Sequence, residues 1–191
     1  MEALFGIMAA FGLSASAGLN AYIPLLVVGV VAHYTDWITL SKPYDLLANP
    51  WILILISFLL IVEMLADKIP AVNHINDIIQ TIFRPAAGAI LFAASAHVIA
   101  DVHPILALAC GLLIGGSVHV VKSAAVRPAV TATTGGAGNI PVSIIEDVIA
   151  TITSVLAVVM PVLVGVFLLL IIALVSYWFW RRAKKRRSAY N

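Results

Sequence analysis

The segment from Glu63 to Pro85 reads EMLADKIPAVNHINDIIQTIFRP, and its five charged residues lie between two strongly apolar segments. Charge is scarce in the rest of the chain, since only 10% of the 191 residues are charged. Ionisable groups are costly near a bilayer, so they usually line a cavity or pair with one another. We therefore expect this segment to lie at the centre of a membrane-embedded domain.

Composition supports a membrane domain. Hydrophobic residues make up 62% of the chain, the mean hydropathy is +1.08, and apolar stretches of about 20 residues recur. No polar segment is long enough to hold a core of its own. The composition predicts an all-α, polytopic transmembrane helical bundle, with residues 1–180 as a single transmembrane domain and residues 181–191 as a basic tail.

The first apolar stretch, residues 4–33, exceeds the roughly 20 residues that one crossing needs. We expect a single long, tilted helix kinked near Pro24, because proline removes a helix hydrogen bond. The alternative is a broken helix, with unwound backbone around Gly18–Asn20.

The rest of the chain predicts five more spans, so about six in all. The second span opens at Pro50, and Pro161 divides a long apolar run into the last two spans. The third, residues 85–100, is rich in small residues and is placed in the bundle centre. The fourth carries the GxxxG pair Gly111 and Gly115 and ends near Val121.

Two segments between the spans have other patterns. In residues 70–83, isoleucines recur at three- and four-residue steps with polar residues between them, which predicts an amphipathic helix that lies on the membrane or re-enters it. Residues 122–140 are rich in Thr and Gly and predict a loop, with helix restarting at Pro141.

Six spans place both termini on one side, and the basic run from Arg181 to Arg187 favours the cytoplasm. Two halves of three spans would have opposite orientation, as in an inverted-repeat transporter. Short echoes such as Arg84-Pro85 and Arg127-Pro128 fit such a repeat.

Acidic and amide side chains predict one kind of site. Carboxylate and amide oxygens in a partly dehydrated site suit a hard cation or a proton. The alternative is structural, with acids that pair with nearby basic residues or that favour a helix N-terminus. The candidate ion or substrate ligands are Asn20, Glu63, Asp67, Asn139, Glu146 and Asp147.

Basic side chains and histidines predict two further kinds of site. Anionic lipid headgroups or phosphate suit a basic set on the inner side, although the same charges also satisfy the positive-inside rule. Those candidates are Lys68, Arg84, Lys122 and Arg127. His97 and Asp101 are four residues apart and, with His103, are weak candidates for a divalent metal.

Three motifs of the chain resemble a bacterial family of small membrane proteins described as domain of unknown function 4126. The motifs are GLNAYIPLL, EMLADKIPAVNHINDIIQTIFRPAAGA and GNIPVSIIEDV. This resemblance runs from about the first span to Pro161 and implies a multi-span helical protein, without any associated activity. A weaker likeness is to cation exporters of the amino-acid exporter superfamily. Their Glu-x-Gly-Asp-Lys motif differs here, because Glu63 and Asp67 have one extra residue between them and the glycine is unmatched.

These patterns predict an integral inner-membrane protein that acts as a small secondary transporter or ion-binding protein with an inner-facing acidic site. The alternative is a non-transporting scaffold that binds anionic lipid. Neither an enzyme nor a cofactor is predicted, since Cys110 lies mid-span and no serine has a recognisable His and carboxylate set. Expected partners are the bilayer, anionic lipid at the basic tail, a small cation or proton, and a second copy of the chain, but not nucleic acid.

Overall fold

The computed structural model describes residues 2–97 and 102–188, which form an all-α bundle without strands in those ranges. Four of its helical segments are long and apolar enough to cross a membrane, and three shorter apolar helices accompany them. The helices are α1 (Glu2–Leu19), α2 (Tyr22–Tyr34), α3 (Pro50–Ala66), α4 (Pro70–His97), α5 (Pro104–Val121), α6 (Arg127–Thr134), α7 (Asn139–Val159) and α8 (Pro161–Ser188), with a 3-10 turn at Tyr44–Ala48 and a π-helical segment at Lys122–Val126.

The first apolar stretch forms two helices, so the kinked single helix is wrong and the broken helix is confirmed. Helix α1 ends at Leu19, and the Asn20 Oδ1 atom accepts hydrogen bonds from the backbone N–H groups of Tyr22 and Ile23, each at 3.1 Å. Such a side-chain acceptor satisfies the free donors at the start of α2. Pro24 lies in the first turn of α2, where it disrupts no hydrogen bond.

Helices α1 and α2 form a hairpin whose vertex is Asn20. Phe5, near the start of α1, lines a cavity of ≈ 270 Å³ together with Trp37, just after α2, and with Pro161. The start of α1 and the end of α2 therefore lie at the same end of the bundle, near the start of α8. Helix α8 then returns to the opposite end, so the two ends of the described chain lie apart. The count of six spans is not confirmed.

Helix α4 runs without interruption through Pro85, which corrects the prediction of a separate interfacial helix at residues 70–83. Its isoleucines at 75, 78, 79 and 82 are exposed on the bundle surface, while Asn76, Gln80 and Arg84 are buried. This polarity is the reverse of that of an interfacial helix, whose polar face contacts water. The segment belongs to the candidate span Ile75–Ser95.

The predicted loop at residues 122–140 is also wrong, because α5 continues through the π-helical segment into α6. Non-helical backbone is confined to residues 135–138. There, Gly135 and Gly136 have φ values of 62° and 93°, a region that glycine enters without steric cost.

Small residues pack α4 closely against α5, which confirms their placement in the bundle centre. A Cβ atom on Gly88 would lie only 2.7 Å from the carbonyl oxygen of Gly111 and 3.2 Å from the Cα of Gly115. We call this contact the glycine seam. Because the seam joins two helices of one chain, the GxxxG pair is used internally and is not a free surface for a second copy.

Two local boundary predictions are confirmed. Helix α3 begins at Pro50, with Asn49 as its N-cap accepting a 2.9 Å hydrogen bond from the backbone N–H of Trp51. Helices α7 and α8 are separated at Met160 and Pro161. The backbone of α8 continues past Arg181 to Ser188, so the described part of the basic tail is helical.

Candidate functional site

Asp67 is the hub of a buried network of charged side chains. It follows the last residue of α3, and its Oδ2 atom lies 3.2 Å from Arg127 Nη2 and 3.7 Å from Arg84 Nη2. The Asn76 amide donates a 2.7 Å hydrogen bond to Oδ1, and the Ser143 hydroxyl donates at 3.2 Å to Oδ2. The two oxygens of this buried carboxylate are thus fully satisfied by groups from α4, α6 and α7.

Arg84 connects α3, α4 and α5 and is 0% exposed. It donates from Nη2 and Nε to Glu63 Oε1, at 2.8 and 3.3 Å. It also donates from Nη1 to His119 Nδ1, at 3.2 Å. Because a guanidinium can only donate, Nδ1 is an acceptor and the imidazole is neutral, with its hydrogen on Nε2. His119 Nε2 then donates to the Thr81 hydroxyl at 3.1 Å.

Lys122 joins the network to the end of α1. Its Nζ lies 2.8 Å from Glu146 Oε2 and donates a 2.9 Å hydrogen bond to the carbonyl oxygen of Leu19. Carbonyls in the last turn of a helix have no partner within the helix and attract a cation. Arg127 Nη2 also reaches Glu146, at 3.4 Å. Lys122 therefore stabilises the interruption between α1 and α2 from outside.

Asn20 and Asp147 form the other side of this junction. The Asn20 amide donates a 2.9 Å hydrogen bond to Asp147 Oδ1. Asp147 Oδ2 has no hydrogen-bond partner, and its nearest cation is Lys68 Nζ at 3.9 Å. Lys68 is the most accessible member of the network, with 32% of its side chain exposed.

The predicted acidic and basic sets thus form one network rather than two sites. Eleven of the thirteen predicted site residues are described with their side chains, and eight of them join in its ion pairs. These eight are Glu63, Asp67, Lys68, Arg84, Lys122, Arg127, Glu146 and Asp147. Asn20 joins through its hydrogen bond to Asp147, and Asn139 lies outside.

Asn139 instead lines a cavity of ≈ 740 Å³ beside the network, which we call the polar vestibule. Its amide donates a 2.9 Å hydrogen bond to the Thr131 hydroxyl, and its Oδ1 atom has no hydrogen-bond partner. Asp77, Thr81 and Arg127 line the same cavity. The vestibule lies between α4, α6 and the start of α7, at the end of the bundle to which α8 returns.

The histidine candidates are not brought together within the described residues. The His103 Nδ1 atom accepts a hydrogen bond from the backbone N–H of Ile105 and caps α5. Asp101 and the His97 side chain lie outside the described part of the chain. Among the residues that are described, no three His, Cys, Asp or Glu side chains form a metal-binding group.

Asn76 and His119 belong to the network but were not predicted as site residues, and neither was the buried Gln80. Asn76 and Gln80 recur with the predicted Arg84 at four-residue steps, which places all three on one helix face. The polar residues of this segment were instead interpreted as one side of an interfacial or re-entrant helix. His119 was not predicted, although its place four residues after Gly115 puts it on the packed face of α5.

No curated protein and no solved structure matches the chain significantly. The weaker likeness to cation exporters therefore stays a prediction. Residues 7–182, nearly the whole chain, match the family described as Domain of unknown function (DUF4126), and the protein belongs to that family.

Proposed function

We propose that the protein is a small secondary transporter or ion-binding protein of the membrane, and not an enzyme, and that its ion is a proton or a small cation. The observation that carries this proposal is the charge balance of the buried network. Among the residues that the structure describes, its ion pairs contain five carboxylates (Glu63, Asp67, Asp77, Glu146, Asp147) and four cations (Lys68, Arg84, Lys122, Arg127), an excess of one carboxylate.

The excess is not balanced by His119, which is neutral because it accepts from Arg84. Three of the carboxylates, Glu63, Asp77 and Asp147, each keep one oxygen without a hydrogen-bond partner. A buried charge that is not compensated is strongly unfavourable and takes up a proton or a counter-ion instead. A network with one surplus carboxylate therefore suits a positively charged ligand.

Access to the network supports the same proposal. Arg127 Nη1 lies 3.6 Å from Asp77, and both residues line the polar vestibule. Asp77 and Asn139 line the vestibule, so an ion that enters it comes next to a carboxylate and an amide at the edge of the network.

The orientation follows as part of the proposal. The basic end of α8 faces the cytoplasm of a bacterial cell, as the positive-inside rule favours, and the vestibule at that end opens inward. The convergence of Arg84 and Arg127 on Asp67 supports a relation between the two Arg-Pro segments, as in an inverted repeat.

The geometry favours a cationic ligand over anionic lipid in the network. Arg84, Lys122 and Arg127 are buried and paired with carboxylates, so their charges are already compensated. Anionic headgroups are better suited to the basic end of α8, which follows the aromatic residues near Trp180.

Reconstituted liposomes test the function directly. With a pH-sensitive dye inside, we expect the wild-type protein to move protons or to dissipate a proton gradient when Na⁺, K⁺ or Mg²⁺ is offered outside. Glu146→Gln removes one ion-pairing carboxylate and should abolish this flux, while the folded helical signal is kept. Asp45→Asn, in an exposed 3-10 turn far from the network, should keep the wild-type flux.

Thermal unfolding against the same cations and inorganic phosphate gives a second readout. A ligand at a hundred times its dissociation constant stabilises the folded state by about 2.7 kcal/mol, so a real site is measurable. Absence of any flux, together with stabilisation by phosphate alone, would overturn the proposal in favour of the anion-binding scaffold.

A further inference from the structure

We infer that Glu63 is the carboxyl group that binds the proton, at its Oε2 atom, and that Gln80 Oε1 accepts the resulting hydrogen bond. This inference rests on the proposed function, because it assigns the surplus carboxylate to one residue. It begins with the asymmetry of the Glu63 contacts. Both Arg84 nitrogens that reach Glu63 donate to Oε1, and Oε2 has no hydrogen-bond partner.

A second acceptor without a donor lies in the same region. The Gln80 Oε1 atom has no hydrogen-bond partner, and Gln80 precedes Arg84 by one helical turn on the same face of α4. From this face, Arg84 reaches the Glu63 carboxyl group at 2.8 Å. Residues four apart on a helix point in the same direction, so Gln80 also faces the end of α3 where Glu63 lies.

Because both residues are buried, bulk water does not supply the missing hydrogen bonds to these two atoms. Glu63 is 1% exposed and Gln80 is 2% exposed. A buried acceptor without a partner loses its hydration and gains nothing in return. One hydrogen on Glu63 Oε2, donated to Gln80 Oε1, satisfies both atoms without any ion that would need a larger cavity.

The charged groups around Glu63 support this assignment over the neighbouring carboxylates. Arg84 from α4 is shared between Glu63 and Asp67, and Lys122 from the π-helical segment pairs with Glu146. Asp67 has Arg127 and two further hydrogen-bond donors of its own, so its ionised form is satisfied. Among the described residues, Glu63 has one cation within ion-pairing distance, Arg84, which it shares with Asp67, and the neutral His119 adds no charge.

The other two carboxylates with an unpartnered oxygen have other means of compensation. Asp77 lines the polar vestibule, and Asp147 lines a second cavity, of ≈ 550 Å³, beside Lys68. Their side chains are 17% and 9% exposed, against 1% for Glu63, so they are less completely removed from water. Glu63 is the carboxylate for which a proton is the simplest partner.

A chain of hydrogen bonds connects Glu63 with the polar vestibule. Thr81 lines the vestibule and bonds to His119, which accepts from Arg84, which donates to Glu63 Oε1. Because a guanidinium keeps its hydrogens, this chain positions the carboxyl group and does not itself carry the proton. Protonation adds one hydrogen ion from the aqueous side to Oε2, and release returns it, so no other reactant is needed.

Infrared spectroscopy of the purified full-length protein tests the assignment without any flux measurement. A neutral carboxylic acid has a carbonyl stretching band that carboxylates and amides lack. We expect this band at neutral pH in the wild-type protein, with slow exchange in heavy water. Glu63→Gln should remove the band, and Asp147→Asn, a matched acid-to-amide change in the same network, should retain it.

A third variant guards against a Glu63→Gln protein that does not fold. Gln80→Leu removes the acceptor, so the band should move to the higher frequency of a carboxyl group without a hydrogen bond. Persistence of the band in folded Glu63→Gln, or its loss in Asp147→Asn, would overturn the assignment even if the protein moves protons. If the band belongs to Glu63 but the protein shows no flux, the assignment of the proton to Glu63 stands and the proposed transport function is overturned.

Discussion

The two halves of α4 solve the problem of packing inside a membrane in opposite ways. In the half that precedes Pro85, Asn76, Gln80 and Arg84 turn inward, and Asn76 and Arg84 meet charged side chains of α3 and its C-terminus. In the half that follows it, Gly88 and the buried alanines turn inward and meet the backbone of α5. One half is specified by charge and the other by shape.

The difference has an energetic consequence. Helices in lipid gain little from the hydrophobic effect, so close van der Waals packing of small residues holds the glycine seam. Burial of the charged side chains costs desolvation free energy. The ion pairs offset this cost only when every partner is present. A network of this kind is thus sensitive to the loss of one charge, and the glycine seam is sensitive to the gain of one methyl group.

The largest effect is expected for Arg84→Met, which deprives Glu63 and Asp67 of their shared cation. Loss of one partner from a buried pair typically costs about 3–5 kcal/mol of unfolding free energy. Chemical or thermal unfolding in detergent measures the loss. The matched control is Lys68→Met, which removes a partly exposed cation 3.9 Å from Asp147 and should cost less than about 1 kcal/mol. Equal losses in the two variants would contradict the distinction between buried and accessible pairs.

An intermediate effect is expected for Gly88→Ala in the glycine seam. The new Cβ would lie 2.7 Å from the backbone oxygen of Gly111, which cannot move away without shifting α5. Overpacking of this kind costs about 1–3 kcal/mol, measurable as a lower unfolding temperature. Gly116→Ala is the control, because its Cβ would meet Pro85 at an ordinary 3.5 Å. Similar behaviour of the two alanine variants would show that the seam is not close-packed.

The smallest of the three effects is expected for Asn20→Ala, where the charged and close-packed regions meet. The change removes the acceptor that caps α2 and the donor to Asp147. Loss of a cap typically costs about 1 kcal/mol. Asn20→Asp is the informative comparison: it keeps the cap but places a second carboxylate beside Asp147. If Asn20→Asp is more stable than Asn20→Ala at neutral pH, the contact with Asp147 contributes little.

The membership of the network was largely predictable, and its arrangement was not. Charged residues are rare in this chain, so Glu63, Asp67, Arg84 and Arg127 stand out by residue type alone. The acidic residues were assigned to a cation site and the basic residues to an anion site, because the residues were grouped by the sign of their charge. The folded chain pairs the two signs, because isolated charges at this depth are unfavourable.

His119 and Asn76 show why the remaining members were missed. Neither is charged, and each is buried only because another helix packs over it. The direction in which residues 75–83 face is equally ambiguous in one sequence, since an amphipathic pattern is the same whether its polar side meets water or a polar interior. In the structure the isoleucines are exposed on the bundle surface, so the polar side of this segment faces the polar interior.

The sequence by itself determined the membrane character, the helical class and several helix boundaries, since hydropathy, proline and capping residues act over a few neighbouring positions. Pro50, with Asn49 before it, and Pro161 are boundaries of this kind. Only the tertiary structure decided the hairpin at Asn20 and the pairing within the network. Asn20 meets Asp147 across 127 positions of sequence, and Lys122 meets Leu19 across 103. Contacts over such separations depend on how whole helices pack, which no local pattern contains.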